Sequence, residues 1–204
     1  MGRTKKETMT TPKGTAVYPY LNDPDRKFNA DGVYSVALRM EADHASAFMT
    51  SLDSLHEQHI ATTMEDQGKK ELKIAPLPMK KVEHDGKETG EVEFRFKLNA
   101  KGKSQGKEWQ QRPTVFDSKG HKIDTDKVKI GSGSTIKVGF EVVPYYTATI
   151  GCGLSLRMKA VQVIDLVEYD STNNATRWGF TDEGGYEFAP QEATVGDDYE
   201  ESDF

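Results

Sequence analysis

Apolar and polar residues alternate most cleanly over Glu91-Val92-Glu93-Phe94-Arg95-Phe96-Lys97-Leu98-Asn99. Val92, Phe94, Phe96 and Leu98 fall on one face and Glu93, Arg95, Lys97 and Asn99 on the other, as in a half-buried strand. Residues 33–40 form a second strand, rich in β-branched residues. Ala16-Val17-Tyr18-Pro19-Tyr20-Leu21 is a third, which Pro19 confines to an edge or irregular strand because it lacks a ladder donor. Thr114-Val115-Phe116-Asp117 leads into a turn at Ser118-Lys119-Gly120. Three more strands are expected over residues 135–143, 147–158 and 160–169, with Gly151 and Gly153 marking a bulge or barrel bend in the second. One segment has the helical period instead. After an N-cap at Asp43, Phe48, Leu52, Leu55, His59 (or Ile60) and Met64 recur at spacings of three and four. They make one apolar stripe over about six turns, stopped at Gly68.

With no βαβ alternation, a parallel doubly wound sheet is not expected. The expected fold is mainly β, an OB-fold antiparallel barrel with one inserted α-helix and a flexible acidic C-terminal tail. Residues 1–13 read as a flexible basic arm, 14–176 as the barrel and 177–204 as the tail.

Charge separates the last two parts. The chain of 204 residues has a formal charge of -6, an average that argues against nucleic acid as a partner. Residues 177–204 hold one basic residue, Arg177, against nine acids, or -8. The other 26 basic and 24 acidic residues leave the body at +2. The polar arm and tail dilute the hydrophobic fraction to 35%. No apolar run approaches the ~18 residues of a membrane span, so no membrane association is expected. No secretory signal follows Met1, and the single cysteine, Cys152, fits a reducing cytoplasm.

Catalytic chemistry finds little support. Gly131-Ser132-Gly133-Ser134 lacks the Gly-Lys-Ser/Thr ending of a phosphate loop and reads as a hairpin loop. His56 and His59 share a helix face without further zinc ligands and read as a polar flank. Cys152 has no nearby histidine and reads as a small buried residue. The carboxylate pairs Glu91/Glu93 and Asp124/Asp126 sit among lysines and read as exposed mixed-charge faces. No enzyme, cofactor or metal is expected.

Cations interleaved with aromatic residues remain. Single-strand binding needs cations along the phosphates and rings that stack on bases. The candidates are Arg95 and Lys97 on the strand, then Lys101, Lys103, Lys107, Trp109 and Arg112 in a glycine- and lysine-rich loop, then Tyr145 and Tyr146 after Pro144 at a strand break. Trp109 is either a stacking platform or a lid folded onto the barrel. Of Tyr145 and Tyr146, one is expected to point inward and the other outward. Phe94 and Phe96 share the apolar face and are either core or groove residues, with the core expected. In the tail, Asp197, Asp198, Glu200, Glu201 and Asp203 lead to a terminal Phe204. This end either offers a ring and carboxylate to a partner's basic pocket, mimics phosphate in the body's own groove, or simply frays. A protein-binding adaptor that mimics DNA is the competing class.

The chain resembles the single-stranded DNA-binding proteins of T-seven-type phages. The resemblance is carried by Gly14-Thr15-Ala16 with Tyr18 and Tyr20, by Gly32-Val33-Tyr34, and by Phe116-Asp117-Ser118-Lys119-Gly120. It continues from Ile130-Gly131-Ser132-Gly133-Ser134 through Lys137-Val138 to Val143-Pro144-Tyr145, and ends at Asp203-Phe204. It implies an OB-fold body that binds single-stranded DNA without sequence preference in phage replication, recombination and repair, in the cytoplasm of the infected host. It also implies a tail that contacts phage DNA polymerase and helicase-primase, competes with DNA for the groove and supports homodimerisation.

Overall fold

Period-two alternation becomes a closed barrel because each strand has one apolar face to hide and two edges to satisfy. The computed structural model describes residues 8–169 together with Thr181, Gly184 and Gly185. In chain order its elements are β1 (Thr8–Thr10), β2 (Gly14–Asp25), β3 (Val33–Glu41), α1 (Ala42–Gln67), β4 (Met79–His84), β5 (Lys87–Asn99), β6 (Lys101–Ser104), β7 (Lys107–Gln110), β8 (Thr114–Phe116), β9 (Thr135–Thr147) and β10 (Gly151–Asp165). The chain divides into two units, Met1–Asp170 and Ser171–Phe204, and every one of these elements lies in the first.

Five strands form a ring: β2 pairs β3, β3 pairs β5, β5 pairs β10, β10 pairs β9, and β9 returns to β2. This is the circuit of an OB barrel. Within the ring one pair departs from the antiparallel pattern, since β5 and β10 run parallel, and outside the ring β8 also joins β10 in parallel. A parallel pair needs a long crossover, and residues 100–150 supply it. Helix α1 is inserted between the second and third strands of the ring.

The expected inward positions of β5 are the core: Val92, Phe94, Phe96 and Leu98 are all buried, Phe94 and Phe96 completely. Two bulges shift the parity elsewhere. In β2 the inward residue is Ala16 before the register shift at Val17/Tyr20 and Leu21 after it. Tyr18 takes φ 46 inside that bulge, beside Pro19, so the irregularity falls where proline predicts it. The strand itself is not an edge, because β3 and β9 flank it. In β10 the inward series runs Leu154, Leu156, Met158, then Val161 and Val163, with a shift between Met158 and Ala160.

That bulge explains one correction. The three strands expected over 135–143, 147–158 and 160–169 are two, β9 and β10. Change of parity imitates a break, while the ladder continues through it. Pro144 sits within β9, so Tyr145 and Tyr146 are ladder residues and not a strand break. The loop expected over 101–107 is the hairpin β6–β7, and β4 had no recognisable alternation. Part of the arm expected over 1–13 belongs to the sheet. Thr8–Thr10 pairs with Glu141, Phe140 and Gly139, and the Thr11 amide donates to the Val138 carbonyl at 3.0 Å.

Helix α1 ends as expected, with Gly68 left-handed at φ 60. Its start differs. The N-cap is Glu41 and Asp43 lies in the first turn, because β3 runs directly into the helix and leaves no loop for a capping aspartate. The stripe begins with Phe48 and Leu52 and then turns to His56 and Thr63. Phe48 meets Phe94 and Phe140, with ring centroids 4.7 and 5.7 Å apart. This ring cluster locks the helix against the barrel.

Candidate nucleic-acid interface

Strand β5 changes neighbours along one edge. Its first part pairs with β4, Met79 opposite Phe94 and Lys80 opposite Glu93. Its later part pairs with β10, Leu156 opposite Phe96 and Arg157 opposite Lys97. Where β4 and β10 diverge, a depression of about 340 Å³ opens on the outer face. Arg95, Lys97, Lys80, Glu93, Tyr145 and Ser155 line it together with the apolar Leu77, Pro78, Met79, Leu154 and Leu156. The expected pair of strand cations and one expected tyrosine thus share one groove.

Its electrostatics are not those of a simple basic patch. Glu93 was expected on an exposed face, yet only 5% of its side chain is accessible. Lys80 Nζ lies 3.0 Å from one carboxylate oxygen and Arg39 Nη2 3.0 Å from the other. Burial is the largest single influence on this carboxyl and pushes its pKa up. Hydrogen bonds from Lys80 and Arg39, with their charges, outweigh it and hold the pKa below the usual carboxylate value. Glu93 is therefore ionised inside the groove.

Tyr145 is positioned by packing and by a backbone bond. It pairs across the ladder with Gly153, and its ring lies over that glycine, where a β-carbon would approach the phenol oxygen to 2.5 Å. The Tyr145 carbonyl accepts a hydrogen bond from His59 Nε2 at 3.0 Å, and the Cys152 carbonyl accepts one from His56 Nε2 at 3.1 Å. The polar-flank reading of these histidines is therefore wrong. Helix α1 faces the β9–β10 turn, so two imidazoles at one helical spacing brace the end of that hairpin. Cys152 is buried as expected.

The remaining candidates do not converge on this groove. Tyr146 lies on the opposite face of β9 from Tyr145, half-buried, with its hydroxyl 3.2 Å from Lys69 Nζ. On β6–β7 the register pairs Gly102 with Trp109 and Lys103 with Glu108. Lys107 and Trp109 therefore share one face of the hairpin, and Lys101 and Lys103 the other. The Trp109 indole lies against Gly102, where any side chain would collide, and stays 37% exposed. The ring packs on its own hairpin. Arg112 donates to Asp126 at 3.2 Å and to the Asn22 carbonyl at 3.3 Å, so its charge is partly engaged. Asp197, Asp198, Glu200, Glu201, Asp203 and Phe204 lie outside the described residues.

Two features went unpredicted. Lys80 lines the depression itself, and Arg39 reaches the site through Glu93. The loop joining β2 to β3, residues 26–32, holds Phe28 at 88% exposure with Lys27 Nζ 5.3 Å from its ring centroid. A phenylalanine between Lys27 and Asn29, in a stretch of turn residues, was a legible signal of an exposed ring. Among the described residues no group of three or more His, Cys, Asp or Glu could hold a metal, and no helix is long and apolar enough to cross a membrane.

An OB barrel whose strands bring cations and a ring to one groove has the form of an oligonucleotide-binding module. Residues 13–166 match the family described as Single-stranded DNA-binding protein, Bacteriophage T7. The chain belongs to that family, whose members are non-enzymatic. A relative named single-stranded DNA-binding protein, from Enterobacteria phage T3, is 28% identical over 200 residues, covering 89% of this chain and 86% of its own. The crystal structure of gp2.5, a single-stranded DNA-binding protein encoded by bacteriophage T7, superposes with a TM-score of 0.68 at 25% identity, covering 91% of this chain and all of the other. The single-stranded DNA-binding protein of bacteriophage Enc34, solved in complex with ssDNA, has the same fold, with a TM-score of 0.55 at 15% identity, covering 80% of this chain and 88% of the other.

Proposed function

We propose that this chain coats single-stranded DNA without sequence preference, holding the strand across the outer face of β3, β5 and β10. The observation that carries this reading is the convergence of Arg95, Lys97 and Tyr145 on one groove of an OB barrel. The cations take phosphates, the half-buried tyrosine takes a base, and Phe28 and the Lys107–Trp109 face of the hairpin extend the path. Because Ser35 and Ala37, opposite Lys97 and Arg95, are small, the strand face leaves room for a backbone to lie flat. The setting is phage DNA replication, recombination and repair in the cytoplasm of the infected host, as the family suggests.

Binding of oligo-thymidine, followed by fluorescence anisotropy across a salt series, tests this reading. Affinity should fall linearly on a log–log plot, with a slope of about -0.7 per phosphate neutralised. Tyr145→Ala should lower affinity at every salt concentration by about 1–3 kcal/mol, the worth of one stacked base, without altering the slope. A flat salt series, or an unaltered affinity in a folded Tyr145→Ala protein, overturns the reading.

The acidic tail has the opposite role. Its -8 charge and terminal Phe204 suit recruitment of phage DNA polymerase and helicase-primase, competition with DNA for the groove, and support of a homodimer. Deleting residues 196–204 should tighten oligo-thymidine binding and abolish co-sedimentation with polymerase. Weaker DNA binding after the deletion rejects competition.

A further inference from the structure

We propose that Glu93 limits how tightly the groove holds DNA, by keeping Lys80 and Arg39 occupied so that phosphates must compete for them. The inference rests on the groove reading above and concerns how that site is tuned. A buried carboxylate is an unexpected neighbour for Arg95 and Lys97 in a surface meant for polyanions. Each of its oxygens takes one cation at 3.0 Å, from β3 on one side and β4 on the other. Both cations belong to the interface: Lys80 lines the depression, and Arg39 stands opposite Glu93 in the β3–β5 ladder.

Among the described residues, neither has an ion pair other than the one with Glu93. Lys80 keeps 60% of its side chain accessible, and Arg39 keeps 33% and meets the acid through Nη2. Each retains donors for a second anion. The charge of Glu93 also repels a phosphate brought to the same wall, and burial reduces the water that would screen it. A mere tether of β4 to β3 would hold the strands but leave DNA affinity indifferent to the sign of residue 93. A limiter makes affinity and its salt dependence respond to that charge.

The test is oligo-thymidine binding across a salt series in the full chain. Glu93→Gln should bind several-fold more tightly at low salt, with a slope steeper by about 0.7 for each cation released. Lys80→Met/Glu93→Met replaces the pair by apolar side chains, keeps the net charge of the chain and frees Arg39 alone. It guards against poor folding of the single variant, since removing both members leaves one buried charge fewer to compensate. Its slope should steepen by about 0.7 at unchanged net charge. An unaltered slope in the folded variants overturns the proposal, whether affinity falls or stays. Arg95→Glu/Lys97→Glu separates the two readings. If that variant loses binding while the Glu93 variants keep the original slope, the groove stands and the limiter falls. If it binds normally, both fall.

Discussion

Arg95→Glu/Lys97→Glu should all but eliminate single-stranded DNA binding while leaving the barrel intact. Both side chains point outward from β5 and are exposed, and neither has an ion-pair partner among the described residues. Reversal therefore breaks no ion pair among the described residues. At the interface the change is large. A cation ~4 Å from a phosphate is worth about 1 kcal/mol even at the dielectric constant of water, and reversal replaces that attraction by a repulsion of equal size. Two positions then amount to about 4 kcal/mol, near a thousandfold in Kd. The salt slope should also become shallower by about 1.4, the share of two phosphates on a single strand. Anisotropy gives both quantities, and a thermal melt checks the fold. A loss of less than tenfold, with a normal melt, means that the strand runs elsewhere on the barrel.

Phe140→Ala should be the most damaging substitution for stability, at about 3–5 kcal/mol. Phe140 is completely buried on β9, and its ring joins the helix to the barrel. One side meets Phe48 of α1, the other Phe96 of β5, with centroids 5.7 and 5.1 Å apart and both pairs edge-on. Truncation removes the ring's transfer energy, leaves a cavity between two rigid elements and abolishes two aromatic pairs. Domains of ordinary size have only about 5–15 kcal/mol in hand, so this is a large fraction of the whole. Urea unfolding measures it. A loss under about 1.5 kcal/mol would mean that α1 settles into the space, which the brace from His56 and His59 to the β9–β10 hairpin opposes.

The two expectations differ in how much of them could be read from residue order. The burial of Phe94 and Phe96 followed from strict alternation, since side chains two apart must share a face. The exposure of Arg95 and Lys97 followed from the same rule. For Glu93 the rule held for direction and failed for burial. It points outward with Arg95 and Lys97, but β4 and Arg39 cover it, and Arg39 is 54 residues away in the chain. No local pattern can report a cover supplied from that distance. The same limit hid the histidines. Their spacing marked one helix face, and only the packing of α1 against the β9–β10 turn converted that face into a brace.

The candidate site divides in the same way. Tyr145 was nominated because an aromatic followed a proline, and it does reach the groove. What puts it there is Gly153 across the ladder, which leaves room for the ring. Lys101, Lys103 and Lys107 were read as one basic loop. A hairpin pairing splits them between two faces, because period two separates neighbours that a composition count merges.

By itself the sequence determined which residues are apolar and at what period, and therefore a mainly β barrel with one helix. It also determined the division of charge between a basic body and an acidic tail. Only the tertiary structure decided that β5 exchanges β4 for β10 along its edge, which opens the groove, and that a carboxylate sits among its cations. The reason is physical: alternation states which face of a strand is hidden, whereas strand pairing across the barrel decides what lies beside it and at what distance charges meet.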